Sequence, residues 1–212
     1  MATFPADIFT EPEPDPDTLT NLGPLRPMAG TWTGTQGFDQ HPVVEGTEQN
    51  VYVEHYDLQP IDAQTNGPQL FYGLRYHTHI VKPGEVEAFH DQVGYWLWEP
   101  ATGAVILTLG IPRAQVALAG GSASADATRF SVRASRGDTA FGIASNPFLE
   151  HAYRTLSFHM EVTIEADGTW SYEQDTLLEV LGTHEPFHHI DRHRLTKVAE
   201  PVPNPMAQSA LG

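Results

Sequence analysis

Leu70-Phe71-Tyr72-Gly73-Leu74-Arg75-Tyr76-His77-Thr78-His79-Ile80-Val81 is the stretch on which the fold class turns. Successive side chains of a strand point to opposite faces. Leu70, Tyr72, Leu74, Tyr76 and Ile80 therefore share one side, and Phe71, Gly73, Arg75, His77 and His79 the other. A helix would bring apolar residues back every three or four positions, whereas this two-residue period predicts a strand with one face in a core.

The same period recurs on both sides of it. Asn50 to Leu58 sets Val51, Val53 and His55 against Tyr52, Glu54 and Tyr56. Further strands read at 30–38, 87–98, 103–110, 113–119, 128–135, 153–165, 169–180 and 187–198. Turn chemistry separates them at Lys82-Pro83-Gly84, at Pro100-Ala101-Thr102-Gly103 and, most clearly, at Ala166-Asp167-Gly168, a hairpin signal between two alternating runs. Many strands joined by short turns predict an all-β sandwich or an up-and-down antiparallel barrel. The barrel, of about ten strands and closed by pairing of the first with the last, is the expectation. Asp17 as an acidic cap, followed by Leu19, Leu22 and Leu25, predicts a short helix near 18–25 that plugs one end. Residues 59–69 and 136–152, rich in Gly, Pro, Asn and Asp, read as longer loops.

The 212 residues suit one domain over 18–198. It is preceded by an acidic, proline-rich tail at 1–17, disordered or extended, and followed by a flexible tail at 199–212 with Pro201, Pro203 and Pro205. No cysteine is present, which excludes a disulfide framework, a thiol nucleophile and a thiolate-held metal. The formal net charge of −16 opposes binding to nucleic acid or to an anionic membrane, where basic surface supplies the affinity. Residues 1–20 do not read as a signal peptide, and no apolar run reaches the roughly 18 residues of a membrane span. A cytoplasmic protein is the expectation.

Eleven histidines stand beside eleven Lys and Arg. Imidazoles ligate metals or haem iron, shuttle protons near neutral pH, or sit half exposed on strands. His77 and His79 share a face, and His55 on the neighbouring strand would complete a three-histidine metal site of the cupin kind. His188 and His189 point to opposite faces, so at most one looks inward. With His189 inside, Asp191, His193 and Leu195 share its side; with His188 inside, Ile190, Arg192 and Arg194 do. The pattern alone leaves this choice open. Phe89-His90-Asp91-Gln92-Val93-Gly94-Tyr95-Trp96-Leu97-Trp98 carries enough aromatic surface to build core or to line a pocket for a flat ligand. Gly142-Ile143-Ala144-Ser145-Asn146 lacks the glycines of a nucleophile elbow, and no phosphate-cradling or dinucleotide glycine loop is present.

In order along the chain stand Ala29-Gly30-Thr31-Trp32-Thr33-Gly34-Thr35-Gln36-Gly37, the 89–98 segment continued by Glu99-Pro100, Gly110-Ile111-Pro112-Arg113-Ala114-Gln115-Val116, and Pro186-Phe187-His188-His189-Ile190. In this succession the chain resembles the nitrobindins, haem-binding β-barrels shaped like fatty-acid-binding proteins, over about 28–198. The resemblance implies haem b held through one histidine near the C-terminus. His189 is the better match for that axial iron ligand and His188 the fallback. His90 and Tyr95 fall on a segment that lines or supports the haem pocket, and Thr31 and Trp32 of the first-strand motif join the cofactor-binding set. It further implies binding of nitric oxide and isomerisation of peroxynitrite to nitrate, which would make the protein a peroxynitrite isomerase. The expected partners are small molecules, with room for a homodimer. Two other readings stand beside this one. The first is a haem-free, lipocalin-like or fatty-acid-binding-like carrier of an apolar ligand, with Arg75 or Arg192 pairing a carboxylate. The second is a cupin-type metal enzyme using His55, His77 and His79.

Overall fold

In the computed structural model, which describes residues 5–203, every run of two-residue alternation is a strand. Eleven strands follow in chain order: β1 (Gly30–Val43), β2 (Gly46–Asn66), β3 (Gln69–Val81), β4 (Ala88–Glu99), β5 (Ala104–Ile111), β6 (Gln115–Ser122), β7 (Arg129–Ser135), β8 (Ile143–Ser145), β9 (Tyr153–Ile164), β10 (Trp170–Val180) and β11 (Phe187–Ala199). All pairings are antiparallel. The sheet runs β5-β4-β3-β2-β1-β11-β10-β9-β7-β6, and β5 pairs with β6 to close the ring. Ten strands thus form the barrel, and β1 lies against β11 as expected, with Phe38 opposite Arg192 and Asp39 opposite Asp191. The three-residue β8 attaches to the outer end of β6, pairing Gln115 with Ser145. Between β6 and β7 only Gly120 and Arg133 pair, so the wall is thinnest there.

The two predicted loops are partly strand. Residues 59–66 continue β2, pairing through Asn66 with Gln69 of β3 across a bulge between Ile61 and Gln64. Gly67, at φ 54°, turns the hairpin with Pro68, the positive φ that such a two-residue turn requires. Ladder hydrogen bonds, together with cover from the N-terminal segment, outweigh a loop-like composition. Glu11 accepts from Thr65, and the Asp15 backbone N–H donates to the Tyr72 hydroxyl. Segment 136–152 is only half loop, since it contributes β8 and the one-and-a-half-turn helix α1 (Pro147–Ala152), capped by the Asn146 side chain. Residues 5–17 form neither helix nor strand, and the expected tail at 199–212 lies outside the described residues from 204 on.

The predicted helix at 18–25 becomes turns over 18–21 and a 3-10 helix over Gly23–Met28. Proline explains the shift: Pro24 suits a helix start, whereas Pro27 supplies no N–H for an α-helical ladder. This plug buries Leu22, Leu25 and Met28 completely, each worth about 1.5–3 kcal/mol in area removed from water. Above it the lumen is packed with rings. Trp32 and Trp170 meet edge to face at 6.1 Å, as do Trp96 and Phe130 at 6.0 Å, and the three tryptophans are fully buried. The aromatic payload of 89–98 therefore divides: Trp96 and Trp98 build this core, while Phe89, His90 and Gln92 face open space further up. The glycines of β1 have steric work. A Cβ on Gly34 would lie 2.3 Å from His193 Nε2, and one on Gly37 2.2 Å from the Tyr52 ring.

Candidate functional site

The half of the barrel away from the plug encloses a cavity of about 750 Å³, within the usual range for small-ligand sites. Its apolar wall includes Ile80, Phe89, Leu109, Phe158, Met160 and Leu178, and α1 leans over the mouth with Phe148 and Leu149. Among the described lining residues Arg113 is the sole guanidinium or ammonium.

The floor is polar. Glu54, 1% exposed, accepts from Thr78 Oγ1 at 2.7 Å, from the Tyr172 hydroxyl at 2.8 Å and from His193 Nδ1 at 2.8 Å. Because Tyr172 donates to Glu54, Tyr52 donates to Tyr172, at 2.9 Å. Burial, with the nearby charge of Glu54, pushes the Tyr52 and Tyr172 hydroxyls well above the ordinary tyrosine range, so both remain donors. Three donors on one carboxylate satisfy a buried charge that would otherwise be costly.

Higher up, β11 presents His189 to the cavity and sends His188 outward, where Asp175 holds it at 2.8 Å. The choice the sequence left open falls to the side that carries Asp191, His193 and Leu195. His189 Nε2 lies 2.9 Å from Asp39 Oδ1 and 3.6 Å from Asp191 Oδ2, and His41 Nδ1 lies 2.5 Å from Asp39 Oδ2. Burial alone would lower the basicity of His189. The hydrogen bond to Asp39 and the charges of Asp191 and Asp39 outweigh it and raise the pKa. Burial raises Asp191 to about 7, the His189 charge opposes, and Asp39 directly across the β1–β11 pair adds repulsion. In Asp39 burial is outweighed by the bonds to His189 and His41, which hold it ionised. Asp191 has 18% of its side chain exposed, toward the cavity. The third lining imidazole, His90, is kept uncharged chiefly by burial.

The other predicted site residues lie elsewhere. Trp32 is buried in the closed end with its indole N–H on the Met28 carbonyl, and Thr31 donates to Asp57. Tyr95 is 43% exposed on the outer wall. His77 and His79 also face outward and converge on Asp91, without His55 in the cluster. Arg75 is exposed, and Arg192 stacks over Phe38 at 4.4 Å, so neither meets a carboxylate in the lumen; Arg113 holds that position instead. Asp39 and Arg113 were missed as site residues. Arg113 sits in the quoted Gly110–Val116 motif, but Asp39 joins His189 only through cross-strand register.

A haem fits these residues. The cavity is large enough and walled by apolar side chains, and among its lining imidazoles His189 carries a carboxylate on one ring nitrogen, the arrangement usual for a metal-bound histidine.

A family model described as "THAP4-like, heme-binding beta-barrel domain" matches residues 21–197. Among solved structures, the crystal structure of Rv2717c from M. tuberculosis superposes with a TM-score of 0.60 at 20% identity, covering 86% of this chain and 98% of that one. This second likeness is one of fold. No curated protein matches the sequence. The nitrobindin-type resemblance read from the motifs and the haem cofactor it implied are borne out by the family match. The chain belongs to the THAP4-like, heme-binding β-barrel domain family.

Proposed function

We propose that the cavity binds haem b with His189 as the axial ligand, and that the protein binds nitric oxide and converts peroxynitrite to nitrate. The observation that carries this reading is the position of His189, the last-strand imidazole that lines the cavity and is backed by Asp39. When bound, a ferric haem would supply the iron chemistry for isomerising a small oxidant, which needs neither a second substrate nor a general base from the chain.

The chain's own residues do the rest. Asp39 fixes the ring plane of His189 and makes the imidazole a stronger donor through one nitrogen, leaving the other for ligation. Ile80, Leu109, Phe158 and Met160 would keep water away from a bound haem. His90, uncharged, offers a hydrogen-bonding ring without adding a cation. A net charge of −16 would not steer an anion such as peroxynitrite toward the protein. Arg113 at the lining provides the local positive charge, and its guanidinium forms no ion pair among the described residues. The same guanidinium suits a haem propionate.

Hemin titration of the purified chain should give an intense Soret band that His188→Ala preserves and His189→Ala abolishes or shifts. The loaded protein should speed peroxynitrite decay to nitrate. A wild-type spectrum and affinity in His189→Ala would refute the ligation, and decay no faster than with free hemin would refute the activity.

A further inference from the structure

We propose that the outer face of the β3–β4 wall carries a divalent transition-metal site formed by His77, His79 and Asp91, separate from the haem cavity. Cross-strand register assembles it. His79 stands opposite His55 on β2 and opposite Asp91 on β4, so these three form one row across the wall. His77, two residues earlier on β3, shares their face.

Asp91 Oδ2 is 2.9 Å from His77 Nε2 and 3.4 Å from His79 Nδ1, and the three donor atoms lie within 4.8 Å of one another. Tetrahedral zinc, with bonds of about 2.0–2.1 Å, needs donors about 3.3 Å apart, a spacing that the 2.9 and 3.4 Å separations straddle. Two imidazoles and one carboxylate suit Zn²⁺, the remaining positions being filled by water, because all three side chains are 34–51% exposed. Among the described residues no lysine or arginine pairs with Asp91, whose partners are the two imidazoles. The excess of 27 acids over 11 Lys and Arg favours uptake of a cation.

The position gives the ion a structural consequence. Thr78, between the two histidines, and His90 and Gln92, on either side of Asp91, are among the residues these strands turn inward to line the cavity. An ion bridging His77, His79 and Asp91 would clamp β3 to β4 behind that lining.

The test uses the full chain, free of any affinity tag, in the His189→Ala background, because Asp39, His189 and Asp191 also form a convergent group. Calorimetric titration with Zn²⁺ should show one site, and Co²⁺ should give visible d–d absorption. Asp91→Asn, which keeps side-chain size, and His79→Ala should each weaken binding about tenfold or more. Zn²⁺ should also raise the melting temperature of the His189→Ala protein and not that of the Asp91→Asn double variant. Absence of Zn²⁺ binding, or equal affinity in Asp91→Asn and His79→Ala folded to the same circular dichroism, would overturn the site whatever the outcome for haem.

Discussion

Asp191→Asn should make the haem-free protein more stable in mild alkali and leave it little changed in acid. Asp191 sits opposite Asp39 in the β1–β11 register, with its carboxylate lining the cavity. Burial lifts it from 3.8 to about 7. A carboxyl group with a raised folded pKa is favourable to the fold below its unfolded value, where it is protonated in both states. That contribution is lost as pH rises toward the folded value, because the unfolded chain ionises first. At 1.36 kcal/mol per pH unit the full penalty above neutrality is about 4 kcal/mol. The variant also loses the attraction between Asp191 and His189, 3.6 Å apart, while Gln174 Nε2, at 3.1 Å from Asp191 Oδ2, can still donate to the asparagine carbonyl. The net gain expected is about 2 kcal/mol at about pH 8, shrinking toward zero at about pH 4. Urea unfolding of both proteins at the two pH values reads it directly. A variant less stable than wild type at the higher pH, or a difference that does not change with pH, would refute the argument from burial and like-charge pairing.

Two further outcomes follow from the same structure. Hemin affinity should fall as pH drops through the raised pKa of His189, because a proton competes for the ligating imidazole; in Asp39→Asn that midpoint should move to lower pH, as followed by Soret titration. Gly94→Ala should cost about 2 kcal/mol or more in urea unfolding, since its Cβ would meet the Thr108 carbonyl oxygen of β5, whereas Gly110→Ala, whose nearest neighbour would be 3.8 Å away, should stay within about 0.5 kcal/mol of wild type.

The strands were legible because burial on one face imposes a two-residue period that survives in the order of residues. Tyr52, Glu54 and Tyr56 fell together on the inner face of β2, as Leu74, Tyr76 and Ile80 did on β3. The hairpin at Ala166-Asp167-Gly168 and the pairing of β1 with β11 were likewise readable from turn chemistry and from the closure a barrel requires. The motifs around Gly30-Thr31-Trp32 and His188-His189 brought the family into view, and the family match over 21–197 agrees with them. Composition misled at 59–66, where Pro60, Asp62 and Asn66 read as loop yet lie in a paired strand, because ladder hydrogen bonds depend on a neighbour that composition does not register.

The sequence by itself determined which residues of a strand share a face, and so that either His188 or His189, with its own set of companions, would look inward. Only the tertiary structure decided which one. Ring closure orients β11 so that the side bearing Leu195 packs beside the Trp170 core, which turns His189 into the cavity and leaves His188 to Asp175. Tertiary structure also brought Asp39 to His189 from 150 residues away in the chain and joined Asp91 to His77 and His79 across a strand pair. Such contacts depend on register between strands, a property of the closed barrel rather than of any local run of residues.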